Sequence, residues 1–276
     1  MDLSNENVVH VKKGNIEYLQ FKKLLDYGIL NAYTIGKNIG FKANDASGNI
    51  IKEKEEKVIK DYEKVCNALG ENYNKIVKPI QKHTDNIQII ENKININMPD
   101  INCKEYNNID GLITNKKDII LATTSADCIT LLFFDPVKKV IANVHSGWKG
   151  TLQRISIKAV EKMAEKYGSE YYDIICCICP SIRRCHFEVK KDVEKLFEEE
   201  FKDLNLEEII INKEPNKSWY IDTVLINKII LERKGLKQEN IIDSNICTVC
   251  NKDLMHSYRA EKELYNVNTA LIEIKE

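Results

Sequence analysis

The 276-residue sequence lacks the features that define several large classes of protein. The stretch before about residue 15 has no apolar core of a signal peptide, and no apolar run reaches the length of a transmembrane helix. There is no excess charge of one sign, because 41 Lys and Arg oppose 42 Asp and Glu for a net charge of −1. We therefore expect a cytoplasmic protein with no electrostatic preference for membranes or nucleic acids.

Internal repeats, low-complexity tracts and linkers are also absent from the sequence. The hydrophobic fraction of 43% and the charged fraction of 30% are ordinary for a globular protein, and the chain is long enough to bury a substantial core. Predicted strands and helices are mixed without strict alternation, which favours an α+β fold. We expect one domain over residues 1–276, with about the first 14 residues peripheral, in a monomer or weak dimer.

The most informative stretch of the sequence runs from Asp118 to Thr151. Two apolar runs, Ile129–Phe134 and Val140–Val144, flank an Asp-Pro turn signal, and this pattern predicts a β-hairpin. Cys128 lies directly before the first run and His145 directly after the second. Because an antiparallel pair brings its open ends together, the thiol and the imidazole are expected to lie in contact.

The remaining elements follow from periodicity and turn residues. Strands are predicted over 15–21, 31–35, 75–82, 86–91, 111–114, 171–179, 207–212, 241–247 and 268–274. Helices are predicted over 52–69, 151–167 and 191–201, and from an N-cap at Asp222 to a stop near Gly235. Residues 40–50 are expected to form a surface loop, and 257–259 a loop or helix start.

Only five histidines are present, so each can be weighed, and two have an informative context. His83 follows a predicted strand and enters a polar turn, whereas His145 ends the hairpin. With Cys128 they form a natural three-ligand set for zinc, which leaves the fourth position open. Cys128 is equally consistent with a buried core thiol, or with a nucleophile that uses His145 as its base. The residue pattern leaves these alternatives open.

The other cysteines carry weaker signals. There are nine in all, and in a chain without an export signal we expect reduced thiols and no disulfide framework. Cys247 and Cys250 have the spacing of a zinc knuckle, for which Cys177 and Cys179 are the partners considered. Because that second pair lies inside an apolar strand, a zinc ribbon is not predicted. His10 lies in a polar N-terminal stretch and is assigned no functional role, and His186 and His256 are assigned surface or structural roles.

The glycine-rich turn Ser146–Thr151 precedes the predicted helix 151–167. Free backbone N–H groups at a helix start favour an anion, so this turn is a candidate phosphate cradle. Lys149 would add a mobile charge. Arg183, Arg184 and Arg259 are rival anchors for the same anion.

Short motifs in a fixed order extend over most of the chain. They are Gln81-Lys82-His83, Asp110-Gly111-Leu112-Ile113-Thr114, Ala126-Asp127-Cys128, the segment His145–Gly150, Pro180-Ser181-Ile182, Cys185, Phe187-Glu188-Val189, Asp222, Cys247-Thr248 and Ser257-Tyr258-Arg259. The ordered set resembles the YfiH-type family, long described as laccase-domain proteins or multicopper polyphenol oxidases. The resemblance covers the chain from about residue 30 onward.

The resemblance implies a layered α/β/β/α fold with mixed sheets, similar to toxin deamidases that use a Cys–His pair. It implies one zinc ion per chain on His83, Cys128 and His145, which are also the catalytic candidates. The activity that it implies is purine nucleoside phosphorolysis, in which adenosine, inosine or guanosine and phosphate give the base and ribose-1-phosphate. Adenosine deaminase and methylthioadenosine phosphorylase are implied side activities. The candidate substrate- and phosphate-binding residues are Ser146, Gly147, Lys149, Gly150, Arg183 and Arg259.

Two other activities stay open beside this expectation. The older oxidase label implies several copper ions, but a copper oxidase of that type needs about ten ligand histidines, which five cannot supply. Copper is therefore disfavoured. A cysteine hydrolase or deamidase that uses Cys128 and His145 is the second alternative.

The sequence also departs from the family pattern near its end and around Ile182. Cys179 and Arg183 stand where the family usually has glycine, and Ala260 stands where a second arginine is usual. Tyr265-Asn266-Val267 replaces a later Gly-Arg. A binding module that keeps the fold without turnover is the hypothesis that these changes motivate.

Overall fold

The computed structural model of the protein describes residues 1–45, 50–213 and 218–275, so residues 46–49 of the predicted loop 40–50 lie outside the described part. The strands within these ranges are β1 Val8–Lys13, β2 Ile16–Phe21, β3 Ile29–Ile35, β4 Ile76–Lys78, β5 Ile87–Ile89, β6 Asp100–Ile101, β7 Gly111–Thr114, β8 Ile120–Ser125, β9 Ile129–Asp135, β10 Val140–Ser146, β11 Ile175–Ile178, β12 Glu188–Val189, β13 Ile210–Lys213, β14 Ser218–Ile221, β15 Ile241–Asp243 and β16 Asn268–Ile274.

The described α-helices together contain slightly fewer residues than the strands, and they lie mostly on the outer faces of the sheets. They are α1 Lys22–Leu25, α2 Lys52–Leu69, α3 Trp148–Leu152, α4 Ile155–Tyr167, α5 Lys191–Glu200, α6 Leu206–Ile209, α7 Thr223–Lys234 and α8 Tyr258–Glu261. Among the described helices, none has both the length and the apolar character that crossing a bilayer would require.

The strands form two large mixed sheets and one small antiparallel sheet. The first sheet has the order β1-β2-β3-β16-β8-β4-β6, the second β15-β11-β9-β10-β7-β5, and the third β12-β14-β13. A buried cluster between the two large sheets contains Tyr33 and Leu121 from the first and Leu132 and Phe134 from the second. The two sheets therefore pack face to face around the main core.

Helices cover the outer faces of both large sheets. The buried face of α2 includes Val58, Tyr62 and Val65, which pack against the first sheet. Helices α4 and α7 pack against the second sheet in a separate cluster. The resulting layers are helix, sheet, sheet, helix, as expected for the α+β fold with α/β/β/α layers. In a strand that is buried on both faces, apolar side chains are needed at every position, which explains the continuous apolar runs of β9 and β10.

Several predicted elements are confirmed closely. The hairpin forms as β9 and β10, which pair in antiparallel register from Val140 opposite Asp135 to Ser146 opposite Ile129. Helix α2 ends at Gly70 in a left-handed conformation, and the side chain of Asp222 accepts a hydrogen bond from the backbone of Leu225 at the start of α7. The N-terminal residues include an edge strand, β1, which pairs with β2.

The predicted helix over 151–167 is wrong in its extent. Two helices, α3 and α4, occupy this region, because Arg154 between them adopts a left-handed backbone conformation with φ 55°. The first of them starts upstream, at Trp148, and the long one starts only at Ile155. The turn Ser146–Thr151, the candidate phosphate cradle, therefore adjoins a helix of five residues and not the long helix.

Other predicted strands are too long. β4 ends at Lys78, because Pro79 has no N–H to continue the ladder. β15 ends at Asp243, whose carboxylate accepts the N–H of Asn245 in a turn. Residues 171–173 form a 3₁₀ turn before β11, and 206–209 form α6 before β13. These errors reflect local turn chemistry that outweighs an apolar pattern.

Candidate metal centre and cleft

The open end of the hairpin brings Cys128 and His145 together as predicted. His145 lies opposite Thr130 in the β9–β10 ladder, and Cys128 immediately precedes β9. His145 is buried, with 3% of its surface exposed, and Cys128 is partly buried. Together with His83 they offer three ligand atoms that all lie within 4.8 Å of one another.

His83 reaches this cluster from the segment that follows β4. Its backbone has a positive φ of 59°, which a residue without a compensating contact rarely adopts. The compensation comes from Asp110, whose carboxylate accepts the N–H groups of Lys82, His83 and Thr84 at 3.1, 3.1 and 2.8 Å. This turn directs Nε2 of His83 to 3.9 Å from Sγ of Cys128.

Asp110 also holds the second histidine. Its Oδ1 accepts a hydrogen bond from Nδ1 of His145 at 2.9 Å, and both side chains are buried. Burial works to raise the pKa of Asp110, but the hydrogen bond and the charge of His145 lower it to about 2. The carboxylate is therefore ionised, and it fixes the ring so that Nε2 of His145 is free to act as a ligand.

The protonation state of Cys128 depends on the two histidines. Burial alone would raise the pKa of the thiol, but the charge and hydrogen bond of His145 and the nearby His83 lower it well below its usual value. Burial would likewise lower the pKa of His145, yet Cys128 and Asp110 raise it. A thiolate is the form that binds a metal or attacks an electrophile, so the surroundings favour either role.

Gly147 leaves the space that this cluster needs. A Cβ atom built on Gly147 would lie 2.9 Å from Cδ2 of His83 and 3.2 Å from Sγ of Cys128. Any side chain here would push the ligands apart. The close approach of His83 and Cys128 therefore explains why glycine occupies position 147 in the segment His145–Gly150.

The three-ligand cluster lies in the wall of a cleft with a volume of ≈ 790 Å³. The lining residues include the aromatic side chains of Phe41, Trp148, Phe187, Tyr258 and Tyr265. Tyr258 and Tyr265 meet edge to face with ring centroids 5.0 Å apart, and Tyr258 is 58% exposed. The cleft therefore has the size and the aromatic surface to hold a planar heterocycle.

The predicted anion-binding residues are distributed unevenly around the cleft. Arg259 and Ser146 line it, whereas the described lining does not include Gly147, Lys149, Gly150 or Arg183. The guanidinium of Arg183 instead donates to the carboxylate of Asp243.

The remaining predicted anion-binding groups also have local partners. Ser146 Oγ lies 3.1 Å from Thr151 Oγ1, and Arg184 donates to the carbonyl of Glu208. The ammonium of Lys149 lies 5.5 Å from the ring centroid of Trp148. Of the three rival arginines, only Arg259 is therefore placed in the described lining of the cleft.

Two aspartates support the cluster, and sequence reasoning assigned no role to either. One is Asp110. The other is Asp127, whose buried carboxylate accepts the hydroxyls of Thr248 and Ser257 at 2.5 and 3.0 Å and the N–H of Arg259 at 2.7 Å. Asp127 thereby ties the segment that carries Arg259 to the residue before Cys128.

A second group of potential metal ligands lies outside the predicted site. Cys185, His186, Cys247 and Cys250 present four ligand atoms within 4.8 Å of one another. The partners of the Cys247–Cys250 pair are thus not Cys177 and Cys179, both of which are buried in β11 or directly after it. The surface or structural role expected for His186 overlooked its position in this group. The signal available in the sequence was the adjacent pair Cys185-His186 inside a turn.

The layered fold of this chain is shared by solved structures. A crystal structure titled Bacillus licheniformis hypothetical protein YfiH superposes with a TM-score of 0.81 at 23% identity, covering 96% of this chain and 99% of that one. The sequence family described as "Multi-copper polyphenol oxidoreductase laccase" matches residues 36–275, and the chain belongs to this family.

Curated relatives carry names that differ from the family's description. "Purine nucleoside phosphorylase LACC1" of Homo sapiens is 30% identical over 82% of this chain and 50% of its own length. "Purine nucleoside phosphorylase YlmD" of Bacillus subtilis is 29% identical over 78% and 77% of the two chains. "Adenosine deaminase RL5" of an unknown prokaryotic organism is 27% identical over 69% and 72%. The chain thus spans about half the length of the human relative.

Proposed function

We propose that this protein is a zinc-dependent purine nucleoside phosphorylase with adenosine deaminase and methylthioadenosine phosphorylase side activities. The observation that carries the proposal is the convergence of His83, Cys128 and His145 at an aromatic cleft. The names of the human and Bacillus subtilis relatives, and that of the deaminase, support the choice of substrate.

The residues present fit a zinc ion. Tetrahedral zinc with its usual bond lengths places a sulfur and a nitrogen ligand about 3.6 Å apart. Cys128 Sγ and His83 Nε2 are separated by 3.9 Å, and Gly147 keeps the surrounding space open. One thiolate and two imidazoles are a ligand set that zinc favours. When bound there, zinc supplies a Lewis acid with one open coordination position.

The protein's own groups would position the substrates. In phosphorolysis the bond between ribose C1′ and the purine nitrogen breaks, and a phosphate oxygen forms the new bond to C1′. The aromatic wall of Tyr258 and Tyr265 supports stacking of the purine. Arg259 is the cationic candidate for the phosphate, because it lines the cleft and its guanidinium donates hydrogen bonds to the carbonyls of His186 and Glu188.

The cysteine hydrolase or deamidase remains a second candidate, and one observation favours it. Asp110, His145 and Cys128 form a carboxylate–imidazole–thiol series, and the histidine lowers the pKa of the thiol. Such a series is the arrangement of an activated nucleophile. A hydrolase would release ammonia from a side-chain amide without phosphate and without a metal.

A panel of nucleosides, incubated with and without phosphate and separated by chromatography, distinguishes the two. The phosphorylase requires that base and ribose-1-phosphate appear only with phosphate, and that adenosine also gives inosine in its absence. The variant His145→Ala should lose both activities. Phosphate-independent release of ammonia from a glutamine-containing peptide, with no nucleoside turnover, would establish the second candidate instead.

A further inference from the structure

Four potential ligands form the second cluster, on two segments that are far apart in sequence. Cys185 and His186 lie in the turn between β11 and β12, and Cys247 and Cys250 lie in the segment after β15. Nδ1 of His186 is 3.1, 3.6 and 3.6 Å from the sulfurs of Cys185, Cys247 and Cys250. Sγ of Cys185 is 3.6 Å from Sγ of Cys247 and 3.9 Å from Sγ of Cys250.

Four of these five separations are close to those of a tetrahedral zinc site, and the fifth, between Nδ1 of His186 and Sγ of Cys185, is shorter. Usual zinc bond lengths give about 3.8 Å between two sulfur ligands and about 3.6 Å between sulfur and nitrogen. Three cysteines and one histidine whose ligand atoms lie within 4.8 Å of one another are a ligand set of closed, structural zinc sites.

The backbone around the cluster is suited to hold these ligands. Ser181 and Cys247 form a parallel bridge, and the N–H of Thr248 donates to the carbonyl of Ser181 at 3.1 Å. The carbonyl of Cys247 accepts the N–H and the side-chain amide of Asn251 at 3.2 and 2.9 Å. The Cys247–Cys250 pair thus lies in a tight turn that brings both sulfurs to one side, as in a zinc knuckle.

We propose that Cys185, His186, Cys247 and Cys250 bind a structural zinc ion that fixes the wall of the cleft around Arg259. The link to the cleft is direct, since the carbonyl of His186 accepts a hydrogen bond from Arg259 at 2.7 Å. Thr248, next to Cys247, donates to Asp127, which precedes Cys128. The ion would join two segments that are far apart in sequence. Because protein ligands would fill all four coordination positions of the ion, no position would remain for a substrate.

Metal analysis of protein purified without chelators tests the proposal independently of any activity. In the double variant Cys128→Ala/His145→Ala, which removes the three-ligand cluster, about one zinc per chain should remain. Adding Cys185→Ser and Cys250→Ser to that double variant should remove this remaining zinc. The variant Cys103→Ser, which changes a partly buried thiol outside both clusters, should leave the zinc content as it is in the parent.

X-ray absorption at the zinc edge supplies a second readout on the Cys128→Ala/His145→Ala protein. About three sulfur neighbours and one nitrogen neighbour per zinc are expected. Because this measurement needs only the variant with the intact second cluster, it decides the question even if the serine variants do not fold. A zinc-free Cys128→Ala/His145→Ala protein that stays folded would overturn the proposal, and so would a Cys185–Cys247 disulfide in freshly purified protein.

Discussion

The carboxylate of Asp110 lies 2.9 Å from Nδ1 of His145 and accepts its hydrogen bond. The same carboxylate accepts three successive N–H groups from the turn that carries His83. One buried side chain therefore orients two of the three ligands in the candidate metal centre. This relationship makes Asp110 the positioning residue on which the geometry of the centre depends.

Asp110→Asn should weaken zinc binding by about 10- to 100-fold, the usual cost of losing a carboxylate that is hydrogen-bonded to a metal-binding histidine. The amide loses the charge that keeps His145 in the correct tautomer, and its NH₂ group faces backbone donors. Competition with a chromophoric chelator measures the affinity. Asp118→Asn, at an exposed carboxylate, is the matched control and should keep the parent's affinity. Equal affinities in all three proteins would contradict the role of Asp110.

Gly147→Ala should abolish or severely weaken metal binding without unfolding the chain. The added Cβ would approach His83 to 2.9 Å and Cys128 to 3.2 Å, so the ligands must separate. Zinc content and circular dichroism, measured on the same sample, test this expectation. Gly150→Ala is the comparison, because its Cβ would meet Ile155 at 3.3 Å and would contact His145 only at its backbone carbonyl, at 3.7 Å. If Gly147→Ala retained zinc at the parent's level, the steric argument would be wrong.

Arg259→Gln should raise the Michaelis constant for phosphate by about 10- to 100-fold, the range expected for loss of a charge-assisted hydrogen bond. Arg259→Lys keeps the charge and should show a smaller effect. Lys149→Ala should leave the phosphate response unchanged, since Lys149 does not line the described cleft. Phosphate-independent deamination of adenosine serves as the internal control. A phosphate effect confined to Lys149→Ala would restore the cradle at Ser146–Thr151.

Lys78 makes stability depend on pH in a predictable direction. It is buried beside the cleft, and its Nζ donates to Asn102 Oδ1 at 3.0 Å. Burial lowers the pKa of Lys78 to about 8 from 10.5. Between these values the unfolded chain binds more protons than the native protein, so this group contributes increasing stability as the pH rises. Below about pH 8 the lysine is charged in both states, and the cost of burying the charge is fully present.

The variant Lys78→Met removes this titration. Relative to the variant, the wild type should gain about 2 kcal/mol in free energy of unfolding between pH 7 and pH 9.5. Urea denaturation at several pH values measures the difference, and subtraction of the variant cancels groups that titrate in both proteins. A difference that stays constant over this range would show that Lys78 is not desolvated as the structure indicates.

The hairpin and the proximity of two candidate ligands at its open end could be predicted because the information is local. Apolar runs on either side of Asp135-Pro136 specify β9 and β10, and antiparallel pairing then places Cys128 beside His145. His83 could be proposed as a third ligand only from its residue type and the family resemblance. The role of Asp110 was beyond local reasoning, since it requires β7 to pair with β10.

Three further features of the structure were not predicted from the sequence pattern. The second cluster unites segments about 60 residues apart, and its adjacent Cys185-His186 pair has no standard knuckle spacing. The break at Arg154 arises from a left-handed residue inside a good helical pattern, where periodicity alone predicts continuity. Likewise, α6 occupies the first half of an apolar stretch that was predicted as a strand.

The proposed phosphorylase activity is tested most directly by following inosine with purified protein and phosphate. The proposed function predicts hypoxanthine and ribose-1-phosphate in equal amounts, no cleavage when phosphate is omitted, and no product with His145→Ala. Hypoxanthine and free ribose without phosphate, or no turnover by metal-loaded protein with any purine nucleoside, would contradict it.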